Sequence, residues 1–137
     1  MRMNSTLTLR MLVFVNAGAS EVLPSWLGSI RDGGRLLVPL TVDDLDGEES
    51  SMAAGWLLKV LNERNRYRAL FISDVDIFNC LGARNSVAQQ RLRTAFARGD
   101  IESVRSIRTD PHPSDHSCWC HFEHLCLSSL DADQVTI

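Results

Sequence analysis

Apolar and polar positions fall into blocks along the chain. Met11-Leu-Val-Phe-Val15 is a short continuous apolar run rich in β-branched and aromatic residues, the pattern of a strand buried on both faces. It runs into Asn16-Ala-Gly-Ala-Ser20, small residues that let another group approach the backbone. Beyond Ser20 and Glu21, the residues Val22, Leu23, Trp26, Leu27 and Ile30 recur at helical spacing. Pro24 is tolerated in the first turn of that helix, and Asp32-Gly33-Gly34 is its expected stop. Arg35-Leu-Leu-Val-Pro-Leu-Thr41 follows as a second buried strand, with Pro39 near its end, where a missing amide costs least. Strand, helix and strand within about 30 residues predict a βαβ unit, two parallel strands with a right-handed crossover.

Residues 43–51 are acidic and polar, a loop. Two apolar segments, 52–61 and 68–80, flank the polar link Asn62–Tyr67 and predict an antiparallel hairpin, with a helix over 52–63 as the open alternative. Asn85–Arg98 predicts a helix: Asn85 or Ser86 caps it, Val87, Leu92, Ala95 and Phe96 form its stripe, and Gly99 closes it. Residues 101–108 are amphipathic and ambiguous, 110–115 form a turn-rich loop, and 117–128 resemble one last strand. The implied organisation is a weakly ordered leader at 1–10, a domain at 11–129 and a tail at 130–137.

Composition narrows the classes. A chain of 137 residues with 45% hydrophobic and 23% charged residues suits one compact domain. No apolar run approaches the ~20 residues of a membrane span, which makes a cytoplasmic protein the expectation. The net charge of −3 argues against a nucleic-acid partner. Arg91, Arg93 and Arg98 are expected on a solvated helix face. Cys80, Cys118, Cys120 and Cys126, without a secretory pattern, are expected as reduced thiols, with Cys80 in the core.

His112, His116, Cys118, Cys120, His121, His124 and Cys126 crowd one stretch. Zinc needs four ligands converging at about 2.0–2.3 Å. If 117–128 is one straight strand, Cys118, Cys120, His124 and Cys126 share a face, but Cys118 and Cys126 stand roughly 26 Å apart. On that premise no metal is assigned and the thiols are packing residues, a small zinc-binding protein being the third-ranked function. Trp26, Trp56 and Trp119 are assigned to the core.

The words Val13-Phe-Val-Asn-Ala-Gly-Ala19, Trp26-Leu27 and Asp32-Gly-Gly-Arg-Leu-Leu-Val-Pro-Leu-Thr41, in this order, carry a resemblance. They resemble the fourth strand, following helix and fifth strand of a class I S-adenosylmethionine-dependent methyltransferase. The nearest likeness is to bacterial proteins similar to protein-L-isoaspartate O-methyltransferase. Phe78-Asn-Cys-Leu-Gly-Ala-Arg84, Val104-Arg-Ser-Ile-Arg108, Ser117-Cys-Trp119 and Leu125-Cys-Leu-Ser128 extend it over residues 11–129.

The resemblance implies an α/β fold, the C-terminal half of a Rossmann-like methyltransferase sheet. Two parallel strands with a crossover helix are followed by an antiparallel hairpin, an extra helix and a last strand. It implies S-adenosylmethionine as cofactor, gripped in the family by a Gly-rich turn, a helix amino terminus and an acidic residue on the ribose. Neither the turn nor that acid stands ahead of Met11, and Ala17-Gly18-Ala19 is not a Gly-x-Gly-x-x-Gly fingerprint. Asn16, Ala17 and Gly18 are the cofactor-side candidates, Ala19 and Thr41 the substrate-side ones, and no catalytic base is assigned. The expected function is methyl transfer to protein carboxylates by a truncated chain, inactive alone. Its expected partners are a protein acceptor and either a second copy or a separate amino half that covers the edge of Met11–Val15. The alternative is a non-catalytic interaction or dimerisation module.

Overall fold

The computed structural model describes residues 9–43, 52–78 and 84–135. The leader up to residue 8, most of the acidic loop, Asn79 and Cys80, and the last two residues of the tail lie outside the described residues. The elements are β1 (Arg10–Phe14), α1 (Pro24–Gly28), β2 (Ile30–Asp43), β3 (Met52–Glu63), β4 (Arg66–Phe78), α2 (Ser86–Arg98), β5 (Ser106–Arg108), β6 (Cys118–His121) and β7 (Cys126–Ser128). Short 3-10 turns stand at Ile101–Ser103 and Ala132–Gln134. The seven strands make one sheet in the order β1-β2-β3-β4-β5-β7-β6.

β1 and β2 pair in parallel across α1, as the βαβ pattern predicts. The helix is shorter than its apolar stripe suggests. The Ser29 hydroxyl donates to the Trp26 carbonyl at 2.7 Å, and β2 already begins at Ile30. Asp32-Gly33-Gly34 therefore lies inside a strand instead of stopping a helix. Register shifts between the pairs Arg10–Ile30 and Leu12–Arg35, and Gly33 at φ 81° absorbs the excess length on β2.

β1 departs from the expectation of burial on both faces. Leu12 and Phe14 are 52% and 56% exposed, and among the described residues β1 pairs only with β2.

β3 and β4 form the expected antiparallel hairpin, which excludes the helix over 52–63. The strands run through the polar link, pairing Asn62 with Tyr67 and Glu63 with Arg66. Only Arg64 and Asn65 remain as the turn, with φ of 58° and 66°. Asn62 is buried and satisfied: its amide donates to the Ile30 carbonyl at 2.8 Å and its oxygen accepts the Asn65 amide at 2.9 Å. Arginine is a poor residue for the left-handed first position of such a turn. Arg64→Asn is expected to raise stability by roughly 0.5–1 kcal/mol. Calorimetric melting should show a gain of a few degrees, and a lower midpoint would contradict the turn geometry.

α2 starts at the Asn85 cap, whose side chain accepts from the Val87 and Ala88 amides at 2.9 and 3.1 Å, and it ends at Gly99 with φ 83°. Ala88, Leu92 and Ala95 are its buried face, so Ala88 takes the place predicted for Val87, which is exposed. The helix runs from β2 to β6. The Gln89 side chain accepts the Asp43 amide at 3.2 Å, and Arg93 donates to the Asp43 carbonyl at 3.3 Å. At the other side Arg91 donates to the His121 carbonyl at 3.0 Å and Arg98 to that of Trp119. The three arginines thus tether the helix to strand ends, a correction to the purely solvated face. Phe71, Phe96 and Trp119 form an aromatic cluster between α2 and the sheet, with centroids 5.4–6.1 Å apart.

The single last strand over 117–128 is also corrected. Residues 118–121 and 126–128 are separate antiparallel strands, closed by a hydrogen bond that the Phe122 amide donates to the Leu125 carbonyl at 2.8 Å. Phe122 and Leu125 are both buried, so the reversal is held by core packing instead of by turn residues.

Candidate functional site

The residues singled out from the sequence gather at the carboxyl end of the β1–β2 pair. Asn16 is exposed, Ala17 half-buried, and Gly18, Ala19 and Thr41 are buried. Ala19 extends the parallel pairing: its amide donates to the Pro39 carbonyl and its carbonyl accepts the Thr41 amide, both at 2.9 Å. The Gly18 amide donates to the Phe78 carbonyl at 2.6 Å, and any Cβ on Gly18 would collide with the Thr41 hydroxyl. Ala19 and Thr41 are therefore fixed against one another, and Asn16 alone of the five is exposed.

The surrounding polar groups were not singled out from the sequence. Arg84 donates to the Thr41 carbonyl and hydroxyl at 3.0 and 3.1 Å, bonds Gln89, and lies 3.7 Å from the Asp43 carboxylate. The buried Ser20 hydroxyl accepts the Asn85 amide at 2.9 Å. These contacts tie the start of α2 to this end of the sheet. The only forewarning was Arg84 immediately ahead of the Asn85 cap.

A second constellation stands at the opposite edge of the sheet, on the β6–β7 hairpin and the loop before it. One ligand atom each from His112, Cys118, His121 and Cys126 lies within 4.8 Å of all the others. His112 Nε2 is 3.3 Å from both the Cys118 and Cys126 sulfurs, and Cys118 Sγ is 3.5 Å from His121 Nδ1. The two imidazoles meet edge to face, 4.9 Å apart. Burial pushes the Cys126 thiol up, helped by its hydrogen bond with Cys118. Burial, and next the facing His112, hold His121 below the usual histidine value.

The premise for assigning no metal therefore fails. Chain reversal at 122–125 brings Cys126 opposite His121, and pairing shifts between Cys118 and Cys120. Of the four residues placed on one strand face, only Cys118 and Cys126 join this group. Cys120 is buried in the core, its thiol pushed up to about 12 by desolvation, and His124 is exposed beside Glu123. His112 and His121 were named in the crowded stretch but left out of that strand-face quartet; the available signal was the His-x5-Cys-x2-His-x4-Cys spacing.

No helix among the described residues is long and apolar enough to cross a membrane. No family model and no curated protein matches the chain. Among solved structures the chain is similar to a Plasmodium falciparum protein described as a protein-L-isoaspartate O-methyltransferase, crystallised in complex with S-adenosyl-L-homocysteine. That likeness has 20% sequence identity and a TM-score of 0.42. It covers 56% of this chain and 30% of the other, so the chain spans less than a third of that neighbour's length.

Proposed function

We propose that the chain supplies the acceptor-side part of an S-adenosylmethionine-dependent methyltransferase of the protein-isoaspartate type, the cofactor grip coming from strands that complete the sheet beside β1. The observation that carries this reading is β1 itself. A parallel strand is ordinarily buried on both faces, yet Met11, Leu12 and Phe14 are each about half exposed. Covering them would stabilise an assembly by roughly 1 kcal/mol each.

Ligands of open α/β sheets sit outside the carboxyl ends of parallel strands. Asn16 is exposed at that end of β1, beside the rigid Ala19–Thr41 junction. These residues form one wall. A single amide and the Ala17-Gly18-Ala19 backbone do not fit S-adenosylmethionine as a complete site, so no step of methyl transfer is derived from them. An ionised carboxylate acceptor needs positioning more than a base.

The same exposed edge favours a second reading, an interaction module that pairs its edge without chemistry. Transfer of labelled methyl groups to an isoaspartyl peptide distinguishes the two. The chain alone is expected to be inactive. A fusion carrying a Gly-rich strand-turn-helix half ahead of it is expected to transfer methyl groups above the level of that half alone. A fusion that folds and binds S-adenosylmethionine but never methylates would leave the interaction reading standing. Leu12→Lys combined with Phe14→Lys should abolish the gain while changing the stability of the isolated chain by less than about 1 kcal/mol, because both side chains are exposed.

A further inference from the structure

The geometry points to a tetrahedral zinc site made by His112 Nε2, Cys118 Sγ, His121 Nδ1 and Cys126 Sγ, independent of the methyltransferase reading and at the other edge of the sheet. With Zn–S near 2.3 Å and Zn–N near 2.0–2.1 Å, tetrahedral ligands stand about 3.5 Å apart sulfur to nitrogen. Three of the four sulfur–nitrogen separations, 3.3, 3.3 and 3.5 Å, already match that spacing, and the fourth, from Cys126 to His121, is within 4.8 Å. Two soft thiolates and two imidazoles are the donor set of structural zinc. The ion's two charges would be neutralised by the two thiolates, so the half-buried centre carries no net charge once both thiol protons leave to solvent.

The surroundings orient the ligands as a metal site requires. His112 Nδ1–H donates to the Asp110 carbonyl at 2.7 Å, which fixes the tautomer and leaves the Nε2 lone pair directed at the cluster. Asp110 is itself clamped by Arg108, with contacts of 3.1 and 2.7 Å. The Asp115 carboxylate accepts the Ser117 amide and hydroxyl at 2.8 and 2.6 Å, shaping the loop that delivers Cys118. Arg91 holds the His121 carbonyl from α2. A groove of about 370 Å³ opens onto Cys118 and His121 and gives an ion a path in.

The site closes a region with little regular structure of its own. β5, β6 and β7 have only three, four and three residues, too short to hold the loop at 109–117 by backbone pairing alone. A metal that binds the folded arrangement and not the open one stabilises it by mass action. The expected role is structural, because all four positions are filled by protein and none remains for a reacting water.

Elemental analysis of the full chain, purified without chelator, is expected to give about one zinc per chain. Cys120→Ser and His124→Ala should keep that content, while Cys118→Ser and His121→Ala should lose most of it. Because ligand variants can unfold, the wild-type chain is also stripped and titrated with Co²⁺. Saturation at one equivalent, with tetrahedral ligand-field bands and a thiolate charge-transfer band, is the expected spectrum. Zinc below about a tenth of an equivalent together with a cobalt spectrum lacking thiolate bands would overturn the proposal. So would a Cys118–Cys126 disulfide in the freshly isolated protein, or equal loss of zinc in the Cys120→Ser control.

Discussion

Gly55→Ala is expected to break the sheet at its centre. Gly55 lies opposite Thr41 on β2 and Val75 on β4, with neighbours on both sides. A Cβ there would fall onto the Leu40 carbonyl oxygen and within 2.8 Å of the Thr41 Cα. Both obstacles are backbone, so no rotamer change relieves the clash and the two strands must separate. Alanine ordinarily suits a strand better than glycine, since it loses less entropy on folding. A strongly opposite sign is therefore diagnostic of the close approach. The loss should exceed about 4 kcal/mol, a large part of the 5–15 kcal/mol that holds an ordinary domain. Urea denaturation followed by circular dichroism measures it, and a change within 1 kcal/mol would contradict the β2–β3 register.

Trp119→Ala should cost roughly 3–5 kcal/mol. The indole packs edge-on against Phe71 and Phe96 at 5.4 and 5.6 Å, and its Nε1–H donates to the Gly99 carbonyl at 2.8 Å. Truncation leaves a cavity and removes the bond that joins the end of α2 to β6. Trp119→Phe keeps most of the volume and should lose only about half as much. Thermal melting of the two variants separates packing from the lost hydrogen bond. Equal midpoints for Trp119→Ala and the parent chain would remove Trp119 from the core. Because Trp119 sits beside Cys118, the alanine variant should also hold the hairpin more loosely against α2.

The long elements were legible because their signals are redundant. The parallel pair β1–β2 followed from apolar runs and small residues, and α2 from an Asn85 cap and a Gly99 stop that both appear in the structure. The hairpin followed too, although its turn shrank to Arg64 and Asn65, since cross-strand pairing carried polar residues that look like loop. The uncovered edge of Met11–Val15 was expected, but the half-exposed faces of β1 were not, because hydrophobicity in a sequence marks surfaces that seek burial and does not say which chain buries them.

The thiol–imidazole cluster was missed for a different reason. Phe122-Glu-His-Leu125 carries no glycine, proline or asparagine, so nothing local announces the reversal. Phe122 and Leu125 turn the chain by burying themselves, a tertiary effect. One unpredicted bend converts a separation of roughly 26 Å along an extended strand into a cluster. At the β1–β2 end, Asn16, Ala19 and Thr41 were placed together by strand order alone. Arg84 and Gln89 join them only through the packing of α2 across the sheet.

Calorimetric titration of S-adenosylmethionine into the isolated chain tests most directly whether this sheet provides one wall of a methyltransferase crevice and not the cofactor grip. No saturable binding below the millimolar range is the predicted result. A stoichiometric isotherm with micromolar affinity, lost on Asn16→Ala, would contradict it and place the grip within these residues.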